Sequence, residues 1–166
     1  GKFLDQAFLE EVADHGSEPA RAAFQGALIA WSRQPGLAEL LTRLPVYPEA
    51  QRLQRMQSFY TQVLAMQWYV GEAEKRADAY LLGRASADLV LFGGRLILAY
   101  NRILFPFHKW FMTELRRVPE KPDGLIEQAE ALLAQPNQAH LNRFADTVLE
   151  FTAWEMPPEG WPTRFM

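Results

Sequence analysis

The chain has no cysteine among its 166 residues. This absence excludes a disulfide framework, a thiol nucleophile and a zinc site built on thiolates, and it favours a cytoplasmic protein. Charged residues make up only 22% of the sequence against 49% hydrophobic residues, which is not the composition of a disordered chain. The formal net charge of −3 provides no general attraction to nucleic acid. The composition therefore predicts one folded domain with a sizeable core.

Histidine is also scarce, and the usual catalytic motifs are missing. His15, His108 and His140 lie in three separate segments, with no carboxylate at the spacing of a metal site. No serine lies in a nucleophile-elbow setting, and there is no glycine-rich phosphate loop. Gly93 and Gly94 fall inside a predicted helix, where we interpret them as points of close helix packing. We therefore predict neither a metal nor a cofactor bound by this chain itself.

The longest apolar stretch runs from Tyr80 to Trp110 and is predicted to be helical as far as about Phe105. Glycines, arginines and an asparagine interrupt it too often for a membrane span, so we predict none. Its faces are otherwise apolar, which predicts a central buried helix. One line of the helix is polar: it carries Arg84, Asp88, Arg95 and Arg102. Because buried charges need partners, this line predicts ion pairs or a ligand cavity, and we expect loss of Arg95 to be harmful.

The rest of the chain shows helical spacing and no strand alternation. Further helices are predicted over residues 5–14, 17–33, 37–44, 49–74, 107–116 and 125–134. Phe8 is predicted to face inward on the first of these, and Leu28 and Trp31 on the second. A last helix carries Leu141, Phe144 and Val148, and Phe151 and Trp154 are the last residues assigned to it. The predicted fold class is all-α, an antiparallel up-and-down bundle of about five to seven helices with extra short helices. We divide the single structural domain into N-terminal helices and linker (1–47), bundle core (48–155) and irregular tail (156–166).

A second polar group lies where proline ends the central helix. Asn101 and Arg102 precede His108 and Lys109 across Pro106. A guanidinium and an imidazole at one mouth between two helices can hold a phosphate and move a proton near neutral pH. The structural alternative is that Arg102 pairs with a carboxylate such as Asp88 or Glu114 while His108 packs at the junction. The candidate substrate-binding residues are Arg84, Asp88, Arg95, Asn101, Arg102, His108 and Lys109.

The block LVLFGGRLILAYNRILFPFHKWFMTELRRVPEKPDGL, residues 89–125, resembles the C-terminal helical region of a family of bacterial nucleotidyltransferase-like proteins. The segments FLEEVADHGSEPARAAFQGALIAW and NRFADTVLEFTAW resemble the same region, so the resemblance covers most of the chain. It implies an α-helical domain that follows a small nucleotidyltransferase-fold domain. Such helical domains are related to the bundle of kanamycin nucleotidyltransferase and to HEPN ribonucleases, which use an arginine and a histidine four to six residues apart. Arg102 and His108 satisfy the looser form of that motif.

The chain departs from the parent family in its catalytic motif. A nucleotidyltransferase domain needs a Gly-Ser turn followed by an Asp-x-Asp pair that holds two magnesium ions. Gly16-Ser17 is present, but no Asp-x-Asp follows it. The resemblance therefore implies a substrate-binding or accessory domain that is not catalytic alone. Mg²⁺ and a nucleoside triphosphate would belong to a catalytic domain located upstream or in trans, and a phosphate-bearing small molecule would be the ligand.

The alternative hypothesis is a HEPN-like, metal-independent ribonuclease. In that hypothesis Arg102 holds the scissile phosphate and His108 acts as general acid or base on the 2′-hydroxyl. The resemblance implies a homodimer for such an enzyme, because two motifs must come together. A substrate-binding domain instead needs a nucleotidyltransferase-fold partner domain.

Overall fold

The computed structural model describes residues 3–160, which fold into eight α-helices with no strand among them. The helices are α1 (Gln6–His15), α2 (Glu18–Ala22), α3 (Leu37–Arg43), α4 (Arg52–Arg76), α5 (Ala79–Tyr100), α6 (His108–Arg117), α7 (Leu125–Ala134) and α8 (Gln138–Leu149), with a 3₁₀ turn at Glu49–Gln51 before α4. The predicted all-α class is confirmed. No helix in residues 3–160 combines the length and apolarity needed to cross a membrane.

Helices α4 and α5 form an antiparallel hairpin that is the centre of the bundle. Ala77 adopts a left-handed conformation (φ 51°), which lets the chain reverse within two residues. Asp78 then caps α5, because its side chain accepts a hydrogen bond from the Leu81 N–H at 3.0 Å. Helix α5 contributes more buried residues than any other described helix and contacts α4, α6, α7 and α8. The prediction of a central, most buried helix is therefore confirmed.

The two adjacent glycines of α5 let two other helices approach its backbone. A Cβ atom placed on Gly93 would lie 2.9 Å from the ring of Phe144 in α8. A Cβ atom placed on Gly94 would overlap the ring of Phe111 and lie 3.0 Å from Leu115, both in α6. The interpretation of this pair as close helix packing is confirmed.

The N-terminal helices form a second, smaller apolar cluster. Leu9 and Val12 of α1 pack with Leu40 of α3 and with Leu44. Arg21 of α2 is buried beside this cluster, and its guanidinium donates to main-chain oxygens at the end of α1 and to the carbonyl of Val46. These bonds satisfy carbonyl groups that the end of a helix leaves without partners.

Helix α5 ends at Tyr100, so the predicted end near Phe105 was wrong. Arg102 lies beyond the helix and does not share a helical line with Arg84, Asp88 and Arg95.

Hydrogen bonds from the following turn and from the distant Arg52 cap the helix at this point. Arg102 has a left-handed backbone (φ 57°), and the Ile103 N–H donates to the Leu98 carbonyl at 2.9 Å. The guanidinium of Arg52 donates to the carbonyls of Ala99 and Tyr100, both at 2.9 Å. These bonds satisfy the last carbonyls of α5 well before Pro106, so proline is not what ends the helix.

The predicted helix over residues 17–33 was also wrong beyond its first turns. Helix α2 ends at Ala22, and Gly26 has φ 71°, a conformation that does not continue a helix. Leu28 and Trp31 are therefore exposed instead of lying on an inward helical face. Phe8 of α1, predicted to face inward, is 46% exposed.

Two aromatic residues predicted on the last helix lie beyond it. Helix α8 ends at Leu149, and Phe151 and Trp154 pack edge-on against Tyr100 at the end of α5. Residues up to Gly160 of the predicted irregular tail contain no helix, and its remaining residues, 161–166, lie outside the described residues.

Candidate functional site: a cleft between the N-terminal helices and helix α6

A cleft of about 800 Å³ lies between the N-terminal helices and α6. Phe8 and Phe24 lie on its N-terminal side. Phe107, Lys109 and Trp110 lie on the opposite side, at the start of α6. This volume is within the range of small-molecule sites, about 300–1,000 Å³, and an apolar lining with a few polar groups is typical of them.

Three charged side chains line the cleft and make no ion pair with another described residue. They are Lys109, Glu114 and Arg117, all on α6. The Nζ atom of Lys109 lies 5.8 Å from the ring centroid of Trp110, at the edge of the range for a cation–π interaction. The cleft therefore offers two cations, one carboxylate and exposed aromatic rings to a ligand.

The backbone of Phe107 is strained where it enters the cleft. Its dihedral angles are φ 79° and ψ 161°, a region that almost only glycine adopts, at a cost of about 1–3 kcal/mol. The Phe107 side chain is nevertheless 55% exposed and contacts His108 edge-on. Packing of this ring explains little of the strain, since more than half of its surface faces solvent.

Glu18 joins the two sides of the cleft from beneath. Only 3% of Glu18 is exposed, and it precedes Pro19, which lines the N-terminal side. One carboxylate oxygen accepts a hydrogen bond from the Phe105 N–H at 2.8 Å, just before the chain enters the opposite side. The other oxygen pairs with Arg95 at 3.2 Å and with Arg55. Glu18 thereby ties α2, α4, α5 and the loop before α6 together.

Arg95 is held by rings as well as by charge. Its guanidinium carbon lies 4.3 Å from the ring centroid of Phe59 and 4.7 Å from that of Phe105. Burial lowers the pKa of Arg95, while the neighbouring Glu18 carboxylate opposes that shift. The prediction that Arg95 needs a buried charge partner agrees with this geometry.

Tyr47 lies near the same buried charges, and its hydroxyl is buried without a hydrogen-bond partner among the described residues. Burial, aided by the Glu18 carboxylate, raises the pKa of Tyr47 from 10.0 to about 12. Between those pH values the folded protein keeps a proton that the unfolded chain has lost.

We therefore expect stability to fall as the pH rises from 10 towards 12, because that window separates the unfolded and folded pKa values of Tyr47. Tyrosinate absorbance and thermal melts over this range measure the two effects together. Tyr47→Phe should lose this part of the pH dependence, and at neutral pH it should melt no lower than the native protein, since it removes only an unpaired hydroxyl. Titration of Tyr47 at the ordinary tyrosine pKa of about 10 would contradict the assignment.

The polar line predicted on the central helix is divided in the structure. Arg84 and Asp88 pair with each other, and 64% of the Arg84 side chain is exposed. Arg95 instead pairs with Glu18 in the interior. Arg102 pairs with Glu49 at 2.9 Å, with both side chains more than half exposed, so its carboxylate partner is neither of the two predicted ones.

The Asn101–Lys109 group is also divided. Asn101 donates to the carbonyls of Ile97 and Glu120 and so braces the loop before α7. The imidazole of His108 packs edge-on against the rings of Phe105 and Phe107. Within residues 3–160, no hydrogen bond or ring contact joins Arg102 to His108.

Of the seven predicted site residues, Lys109 alone lines the cleft. Sequence reasoning did not find Glu18, Phe107, Trp110 or Arg117. One signal was present: Trp110 and Arg117 are seven residues apart, which places them on one face of a short helix. Nothing in the local sequence of Glu18 distinguishes it from a solvated first-turn carboxylate.

Comparison with known proteins finds no relative: no family model matches the chain, and no curated protein or solved structure matches it significantly. No group of three or more histidine, cysteine or acidic residues suited to a metal ion occurs within residues 3–160. The functional interpretation therefore depends on the chemistry of the cleft.

Proposed function

We propose that this chain is a helical substrate-binding module that works beside a nucleotidyltransferase-fold catalytic domain and holds a phosphate-bearing small molecule in the cleft. The observation that carries the proposal is the cleft itself, where Lys109 and Arg117 lie beside exposed aromatic rings and form no ion pair with any residue between 3 and 160. Unpaired cations in a concave, partly apolar site bind phosphate more strongly than cations on an open surface. The resemblance of residues 89–125 to the helical region of nucleotidyltransferase-like proteins supports the same role.

Catalysis is assigned to the partner domain. The chain has no Asp-x-Asp pair, so Mg²⁺ and the nucleoside triphosphate would be held by that domain. In this arrangement the catalytic domain holds the nucleoside triphosphate and the helical module orients the second substrate. Such positioning lowers the barrier by fixing the reacting groups in place before reaction.

The ribonuclease hypothesis is not favoured by the contacts. It requires the Arg102 guanidinium and the His108 imidazole at one phosphate. Arg102 is instead engaged by Glu49, and the exposed imidazole of His108 contacts two phenylalanine rings edge-on. We therefore expect no RNA cleavage that persists with a chelator and is lost in His108→Ala.

The test begins with the gene that encodes this chain and with its neighbours, which are read for a Gly-Ser turn followed by Asp-x-Asp. The protein carrying that motif, with Mg²⁺, a nucleoside triphosphate and a panel of phosphorylated acceptors, should transfer a nucleotidyl group only when the helical module is present. Lys109→Ala with Arg117→Ala should reduce transfer by roughly a hundredfold or more, because each lost charged hydrogen bond is worth about 1.5–3 kcal/mol.

The matched control is Arg116→Ala. Arg116 neighbours Arg117 on α6, but it pairs with Glu130 and does not line the cleft. Its loss should leave transfer unchanged. The proposal fails if no gene nearby encodes the catalytic motif, or if the double substitution in the cleft has no more effect than the control.

A further inference from the structure

We infer that the second substrate held in the cleft, as distinct from the nucleoside triphosphate held by the catalytic domain, is itself a nucleotide: a flat aromatic base joined through a sugar to phosphate. The inference rests on the proposed binding role of the cleft and adds the class of ligand. It is carried by the order of side chains along one side of α6 and by the strained residue that precedes this helix. A phosphorylated ligand without an aromatic ring would use the cations and leave the rings unused.

The side chains that line the cleft from α6 form a stripe. Trp110, Glu114 and Arg117 follow one another at the i, i+4 and i+7 positions, so they share one helical face. Trp110 and Arg117 are about 10 Å apart along the helix axis, from a rise of about 1.5 Å per residue. A nucleotide spans such a length, whereas inorganic phosphate does not.

The aromatic end of the stripe suits a base. Phe107 and Trp110 are 55% and 56% exposed although they lie in a concave site, so more than half of each residue is accessible to a ligand. Stacking of a base on an aromatic side chain contributes to binding whatever the base, since every base has a π-face. The strained backbone of Phe107 holds one of these rings at the cleft, and such strain is typical of ligand-binding sites.

The charged side chains suit a sugar phosphate and not a polycation. Arg117 can bind a phosphate with two parallel N–H donors, and Lys109 adds a second positive charge. Glu114 lies between the rings and Arg117, where a carboxylate can accept hydrogen bonds from sugar hydroxyls. Two cations against one carboxylate repel an amine-rich sugar of the aminoglycoside type, so that class of acceptor is disfavoured in this cleft.

Calorimetric titration of the full chain with four ligands tests the inference. The ligands are ATP, adenosine, inorganic triphosphate and an amine-rich aminoglycoside. We expect ATP to bind most tightly, adenosine and triphosphate to bind at least about tenfold more weakly, and the polycation not to bind. Trp110→Ala should weaken ATP binding by roughly tenfold or more, as expected for loss of one stacked base.

Two variants separate ligand binding from a merely structural role. Trp68→Ala is the control, because Trp68 is 55% exposed on α4 and does not line the cleft. It should leave ATP affinity unchanged. Phe107→Gly should weaken ATP binding without lowering the melting temperature, because glycine adopts this backbone conformation without strain.

Specific results would overturn the inference. If triphosphate bound as tightly as ATP and Trp110→Ala left ATP affinity unchanged, the cleft would be a phosphate site that does not recognise a base. The proposed function would then still stand. Tighter binding of the polycation would reverse the assigned ligand class. If no nucleotide binds but nucleotidyl transfer still depends on Lys109 and Arg117, the nucleotide inference is wrong and the proposed function stands. If no nucleotide binds and transfer does not depend on these residues, both proposals are wrong. Loss of the complex with the catalytic domain in Trp110→Ala would show that the rings are a docking surface.

Discussion

Glu18→Ala is expected to lower the free energy of unfolding by roughly 3–5 kcal/mol, the usual cost of removing one member of a buried ion pair. The carboxylate is 3% exposed and serves two guanidinium groups and one main-chain N–H. Its loss leaves Arg55 and Arg95, whose side chains are each 23% exposed, without their shared carboxylate, and it leaves the Phe105 N–H without its acceptor. Thermal and denaturant unfolding should show a melting temperature lower by about 10 °C for a chain of this size.

Glu49→Ala is the matched control for this prediction. Glu49 also pairs with an arginine, Arg102, but both side chains are more than half exposed. Exposed pairs contribute about 0–1 kcal/mol, so the melting temperature should barely change. Arg95→Ala should be intermediate, because Glu18 then keeps Arg55 and the Phe105 N–H. Equal changes in melting temperature for Glu18→Ala and Glu49→Ala would mean that the buried carboxylate stabilises the fold no more than the exposed one.

The Glu18 variant also links stability to the cleft. Because Glu18 holds α2 against the segment that precedes α6, its loss should loosen both sides of the cleft. ATP affinity in Glu18→Ala should therefore fall even at temperatures where the chain is still folded. Glu18→Gln can keep an oxygen acceptor for the Phe105 N–H while it removes the charge. It should retain more affinity than the alanine variant if position, and not charge, is what the cleft needs.

Gly94→Ala is expected to destabilise the chain by about 3 kcal/mol, at the upper end of the usual cost of overpacking a core. The new methyl group would overlap the ring of Phe111 and press on Leu115, so α6 must move away from α5. Since α6 forms one side of the cleft, nucleotide affinity should fall together with the melting temperature. Chemical denaturation and calorimetric titration of the same sample measure the two effects.

Gly83→Ala supplies a control of opposite sign on the same helix. Gly83 lies in α5 with nothing within 4 Å of an added Cβ atom. Alanine there should raise stability by about 0.5–1 kcal/mol, because it restricts the unfolded chain and favours the helix. If Gly94→Ala were as harmless as Gly83→Ala, the close approach of α6 to α5 would be contradicted.

The sequence by itself determined the class of fold and the positions of most helices. Periodic apolar residues such as Leu141, Phe144 and Val148 predict α8 because they share one helical face, and the structure buries all three. The pair Gly93-Gly94 could also be interpreted from sequence, since two glycines inside a buried helix have few other uses. These features depend on residues close together in the chain, so local patterns are enough to predict them.

Only the tertiary structure decided where the helices end and which charges meet. Helix α5 ends at Tyr100 because Arg52, 47 residues earlier than Ala99, donates to its last carbonyls. Glu18 meets Arg95 across 77 residues of sequence. No local pattern encodes such pairings, because each joins side chains and main chain that are distant in sequence and meet only in the folded chain. The cleft is likewise a product of packing, since its two sides come from segments distant in sequence that Glu18 joins through the Phe105 N–H.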